Sequence, residues 1–281
     1  MLIIRQEQMD LLRTAALGAF EEAMAGHLGG LSPFLLNAVG PEQLRKAVRL
    51  GIERAAGYGF DFCGPVRLYL ELMLLFGSYF DTDPQYPWAA AILADRDSGP
   101  QMQRAARLYE QALDYCHQVV GPDDAYTLNA LKNIRAFASQ PLSFAPDELV
   151  SAMLGEIALI YPEKAAYVGR EGLSALIRKA GQGARNMRFG SPRGMALVVE
   201  LMLVFGHGCG ADPLYPWIAQ TLRDETTSDP AAKAKRLEML AMAWLEQMMG
   251  HIGRGVTITP PDVGIGANQR CDSTTQTLTL D

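Results

Sequence analysis

Residues 71–88 read ELMLLFGSYFDTDPQYPW and residues 200–217 read ELMLVFGHGCGADPLYPW. The two stretches lie 129 positions apart and agree at 11 of 18 columns, including the rare tryptophans Trp88 and Trp217. Chance is a poor explanation, so the chain reads as a duplication. The same offset holds without a gap at Met24/Met153, Pro33/Pro162, Gly40/Gly169, Leu44/Leu173, Arg49/Arg178, Phe60/Phe189, Leu68/Leu197, Arg107/Arg236 and Gly121/Gly250. Each unit is about 100 residues long, a domain-sized repeat and not a short solenoid period. The expected organisation is unit one with its N-terminal helix over 1–121, a helical connector over 122–148, unit two over 149–250, and a flexible tail over 251–281, with the units in a pseudo-twofold relation.

Inside a unit the apolar period is helical. Met9, Leu12, Ala16, Phe20, Met24 and Leu28 recur at spacings of three and four, and Leu44, Val48, Ile52 and Ala55 repeat the pattern after Pro41. A third helix is expected from near Pro65 to Gly77, a fourth after Pro87, and a fifth over about 102–120. The connector carries Tyr126, Leu131, Ile134 and Phe137 at helical spacing. Sustained alternation and Asn-Gly hairpins are missing, so the predicted fold class is all-α, apart from a short strand at 256–259 that the tail would allow.

Composition narrows the function. Hydrophobic content of 49% and charged content of 20% are globular values, and the net charge of −6 argues against a nucleic-acid partner. The longest apolar runs are shorter than a bilayer span and each holds a glutamate, which argues against membrane insertion. Cys63, Cys116, Cys209 and Cys271 form no Cys-x-x-Cys pair, and the first residues lack a secretory pattern, so a reducing, cytoplasmic location is expected.

The repeated stretch offers few chemical groups. Asp83-Pro84 and Asp212-Pro213 read as helix caps, with the continuous helix starting at the second proline, Pro87 or Pro216. Glu71 and Glu200 sit in otherwise apolar helices, so each must be paired, hydrogen-bonded or neutralised. Pairing with Arg49 and Arg178, or a bond to Trp88 and Trp217, is the expected solution. The rival reading makes the two acids a general acid and base or the ligands of a metal pair. Cys116-His117 and His207-Gly208-Cys209 place thiols near imidazoles, but adjacency in sequence sets no geometry. Neither GHGCG nor GSPRG is a phosphate loop. No catalytic, metal or cofactor site is assigned. Positions shared by the copies should serve the fold, and positions that differ should carry function. By that argument Tyr79, Phe80 and Asp81 form a candidate partner-binding corner, with the neighbouring shared Asp83 included, aromatic and acidic where unit two has Gly208, Cys209 and Gly210.

The segments IRQEQMDLLRTAALGAFEEAMAGHL, LRKAVRLGIERAAGYGF and VRLYLELMLLFGSYFDTDPQYPWAAAIL resemble a family of bacterial helical proteins encoded beside type VI secretion effectors. In that family a Gly-Ile-x-Arg-Ala-Ala-x-Tyr-Gly segment precedes a Tyr-Leu-x-Leu-Met-x-x-Phe-Gly-x-x-Phe-Asp-Thr-Asp segment. The resemblance covers roughly the first 95 residues and marks a scaffold, not chemistry. It implies a cytoplasmic, non-enzymatic helper: an immunity protein that occludes a cognate toxin, or an adaptor that loads an effector. A homo-oligomer is a further option.

Overall fold

The computed structural model describes residues 6–252 and 270–271. Among them the chain is helical, and the one β contact is an isolated antiparallel bridge between Phe62 and Arg270. Helices α1 (Gln6–Leu31), α2 (Pro33–Val39), α3 (Pro41–Gly57), α4 (Cys63–Phe76), α5 (Pro87–Ala94) and α6 (Gln101–Tyr115) build the first half. A π turn over Cys116–Val120 extends α6, and α7 (Ala125–Ala138) is the connector helix. Helices α8 (Leu149–Ile160), α9 (Pro162–Asn186), α10 (Pro192–Phe205), α11 (Pro216–Arg223) and α12 (Pro230–Met249) build the second half.

Proline sets many of these starts. It stands in the first turn of α2, α3, α5, α9, α10, α11 and α12, where its missing N–H has no partner to lose. Ser32, Ser191 and Asp229 then cap exposed N–H groups of α2, α10 and α12 through their side-chain oxygens. Glycine sets the corners: Gly40 and Gly169 have φ of 80° and 73°, and Gly77 and Gly206 have φ of 89° and 84°. Gly169 lies inside α9 and kinks it, so its two segments match α2 and α3. The bounds of α4 and α10, and of α5 and α11, differ by the same 129 positions as the sequence repeat.

Helices α4 and α10 are the buried centres. Of α4, Val66, Leu68, Tyr69, Leu70, Leu72 and Met73 are buried on successive faces, and α10 buries Met195 to Leu201 as a run. Helix α4 packs on α3 and α6, and α10 packs on α9, α8 and α12. The connector helix joins both halves, touching α8, α12 and the π turn, with Leu131, Ile134 and Phe137 buried as its spacing predicts.

Two expectations are modified. The α1 period continues to its start, but only its C-terminal half meets a neighbour: Leu28 is buried, Phe20 and Met24 pack against the core, and Met9, Leu11 and Leu12 are exposed. The reason is length, because α8 begins at position 149, the column of residue 20, and among the described residues no element packs on the earlier turns of α1. The tail expected to be flexible, and the strand expected at 256–259, lie almost wholly outside the described residues. The described pair Arg270 and Cys271 is docked, with Cys271 N donating to Asp61 O at 3.0 Å.

Candidate functional site

The repeated corner of each half is where the halves meet. Asp83 Oδ1 accepts from Gln85 N at 2.9 Å, and Asp212 Oδ1 accepts from Leu214 N at 2.9 Å, so each first closes a turn within its own strand of chain. The second oxygen reaches across. Asp83 Oδ2 accepts from His207 N at 2.7 Å, and Asp212 Oδ2 accepts from Ser78 N at 2.8 Å. His207 stands 129 positions after Ser78, as Asp212 does after Asp83, so the two contacts are reciprocal. The glycines before these donors make the approach possible: a Cβ on Gly77 would lie 2.8 Å from Phe205 O, and one on Gly206 would lie 3.0 Å from Phe76 O. Neither aspartate caps a regular helix, and α5 and α11 start at the second proline as expected.

The side chains flanking the two aspartates differ. The Asp212 carboxylate binds the Ser78 hydroxyl at 2.6 Å, whereas Asp83 Oδ2 lies 3.3 Å from His207 Nδ1. Burial raises both acids. At Asp83 the His207 imidazole and the N–H groups of Gln85 and His207 outweigh it and hold the carboxyl below its usual range. At Asp212 the neutral hydroxyl and two N–H groups do not, and the carboxyl stays above its usual range. Gln85 adds a further crossing bond to Met202 O at 3.0 Å. Lys164, fully buried beside this junction, donates to Leu203 O at 2.8 Å, near the rings of Tyr86 and Tyr161, and burial pushes it down to about 8 against the pull of Asp83.

The four residues of the expected corner are brought together, but mostly inside. Phe80, Asp81 and Asp83 are buried, and Tyr79 is half-buried. Phe80 packs between Tyr69 and Phe76, with centroids at 4.9 and 6.3 Å. Asp81 takes both oxygens to Arg54 Nη2, at 2.5 and 2.7 Å, and the Arg54 guanidinium lies 4.7 Å from the Tyr79 ring centre. Unit two has Gly183 in the column of Arg54, so this ion pair has no counterpart there. The Tyr79 ring rests on Gly208, its own column in unit two. The corner residues that differ between the copies, Tyr79, Phe80 and Asp81, are thus engaged with this chain's own atoms, two of them with their surface withdrawn.

The two buried glutamates do not pair as expected. Arg49 binds Glu21 instead, at 2.8 Å. Glu71 meets His27 of α1 at 2.8 Å, with Arg67 at 3.6 Å. Glu200 meets Arg193, with Nη1–Oε1 at 2.9 Å and an Nη2–Oε2 hydrogen bond at 3.0 Å, and Arg193 also bonds Glu238 of α12 at 2.6 Å and lies over Phe137 of α7. Burial raises Glu200 to about 7 in spite of Arg193. Each acid is therefore held within its own half. Among the described residues no group of three or more His, Cys, Asp or Glu could hold a metal ion. The thiols of Cys116 and Cys209 are pushed up to about 11 and about 12 by burial, which keeps them protonated at neutral pH.

Other repeated polar residues also stitch the fold. Arg107 and Arg236, a repeated pair, bind Asp95 and Asp224. Arg104 donates to Leu93 O, and Lys233 in the same column donates to Leu222 O. Sequence reasoning missed the crossing aspartates because the local cap already accounted for them. It missed His27 because a partner 44 positions away leaves no local pattern. No helix among the described residues is long and apolar enough to cross a membrane. No family model matches the sequence, and no curated protein or solved structure matches it.

Proposed function

We propose that the chain is a tandem duplication closed about a pseudo-twofold axis, and that it works as a non-enzymatic protein-binding module. The reciprocal bonds of Asp83 and Asp212 support the first part, since a twofold makes residue i of one unit meet residue j of the other and the reverse. The uncovered start of α1 carries the second part. Leu11, Leu12 and Met9 are 71%, 44% and 36% exposed on the turns of α1 before Phe20, which have no counterpart in α8 of unit two. A helix held at one end by a rigid body, with apolar side chains free at the other, suits insertion into a groove on a partner. The net charge of −6 favours a basic one.

The resemblance to proteins encoded beside type VI secretion effectors makes an immunity protein the preferred identity. It would occlude a cognate toxin in the cytoplasm. The same geometry serves an effector adaptor, and the two differ in what deletion causes: self-intoxication for the first, failed secretion for the second.

The test is affinity purification of the tagged full chain from its host, beside a variant carrying Leu11→Asp and Leu12→Asp. Recovery of one effector by the native chain, its loss in the variant, and loss of protection against that effector support the reading. Recovery of the chain alone, or equal recovery by the variant, overturns it.

A further inference from the structure

Glu71 and Glu200 occupy the same column, yet unit one adds an imidazole to its acid. Arg67, one turn before Glu71 on α4, already places its guanidinium 3.6 Å from the carboxylate. Unit two neutralises Glu200 with Arg193 from its own helix and has Glu156 in the column of His27. In unit one His27 nonetheless turns Nε2 onto Glu71 Oε1 at 2.8 Å, while 29% of its side chain stays exposed and the carboxylate is fully buried. A carboxylate accepts and does not donate, so this contact places a hydrogen on Nε2. In the neutral ring the lone pair is then on Nδ1, which has no hydrogen-bond partner among the described residues.

We propose that His27 is a phosphoryl acceptor, with Nδ1 as the nucleophile and Glu71 as its positioning residue. The donor class is a small, activated phosphoryl compound, an acyl phosphate or a phosphoramidate. Nδ1 attacks phosphorus, the bond from phosphorus to the leaving carboxylate or amine breaks, and an amine leaving group takes its proton from water. The ring becomes cationic as the N–P bond forms, and the Nε2 hydrogen stays on the bond to Glu71, whose negative charge opposes that cation. Arg67, 3.6 Å from Glu71, adds a cationic group to the pair, which favours an anionic phosphoryl donor over a neutral acyl one. This activity is separate from partner binding and needs no surface of α1 before Phe20.

The experiment treats the full chain with phosphoramidate, maps acid-labile phosphate on each of His27, His117, His207 and His251 by mass spectrometry, and assigns the ring nitrogen by phosphorus NMR. The expected result is modification of His27 on Nδ1 at roughly tenfold or more the rate of the other histidines. That advantage should vanish in urea, where the pairing with Glu71 is gone. Glu71→Gln, where it folds, should lower the His27 rate by roughly tenfold and let Nε2 be modified as well. Modification of His27 no faster than in urea, or chiefly on Nε2 in the native chain, overturns the proposal. The urea arm requires no folded variant.

Discussion

Tyr79 lies across Gly208, the residue in its own column of the other unit, with a Cβ on Gly208 falling 2.3 Å from Cδ2 and 2.5 Å from Cγ of the ring. Gly77 and Gly206 likewise approach each other, a Cβ on Gly206 standing 3.9 Å from Gly77 Cα. In the proposed pseudo-twofold arrangement a column near the axis meets itself, and two tyrosines cannot share that space. One large and one absent side chain solve the problem. Gly208→Ala should then destabilise the protein by about 1–3 kcal/mol, because Tyr79 is fixed near its root and cannot swing clear. Tyr79→Ala in the same chain should recover most of that loss. Denaturant midpoints of the two single variants and the double variant check the coupling, and simple additivity would count against it.

The crossing aspartates give a second expectation. Asp212→Ala removes the acceptor from Ser78 N, the Ser78 hydroxyl and Leu214 N, three donors at a buried site. The loss should be roughly 3 kcal/mol or more, since each orphaned buried donor costs about 1–3 kcal/mol. Urea unfolding followed by tryptophan fluorescence reads it, and both halves should lose stability together if the junction couples them.

Much of this architecture is legible in the sequence, for physical reasons that differ by element. Helices α4 and α10 announce themselves because a centre buried on all sides must be apolar all round, and the prolines mark starts because a first-turn residue has no N–H bond to give up. The connector helix follows from Tyr126, Leu131, Ile134 and Phe137. The junction is not legible in the same way. Asp83 satisfies a local turn and a distant N–H with different oxygens, and only the first leaves a sequence pattern. The contrast of Tyr79 with Gly208 is visible, but it reads as a difference between surfaces until the two columns are known to touch. Arg54 binding Asp81 and His27 binding Glu71 span 27 and 44 positions, beyond any helical period.

Glu200 predicts a pH dependence. Its folded-state carboxyl is raised from 4.5 to about 7, so between those values the folded protein holds a proton that the unfolded chain releases. The resulting stabilisation is full below about pH 4.5 and is lost as pH rises through 7, a contribution of up to about 3 kcal/mol. Glu200→Gln keeps a neutral side chain throughout. The gap in unfolding free energy between variant and native chain should therefore shift in favour of the variant from pH 5 to pH 8, and an unchanged gap would place the proton elsewhere.

Lys164 titrates with the opposite sign. Burial lowers it from 10.5 to about 8, with Asp83 acting against the shift, so between those values the unfolded chain binds the extra proton. Stability from this group is lowest below about pH 8 and rises as pH goes from 8 toward 10.5, by about 3 kcal/mol if the whole shift is expressed. Unit one shows that the fold does without the charge, because Leu35 is buried at the equivalent place in α2. Lys164→Met should consequently be more stable than the native chain at pH 7, with its advantage shrinking toward pH 10. The buried hydroxyls of Tyr86, Tyr115 and Tyr215 are all raised above 10 by burial and oppose the rise only beyond that range, so the comparison belongs between pH 7 and pH 10. Leu203 O, which loses its donor in the variant, sets a pH-independent cost of roughly 1 kcal/mol. A difference curve that slopes across this window despite that fixed offset is the signature of a cation buried at neutral pH, and a flat one would mean that Lys164 reaches water.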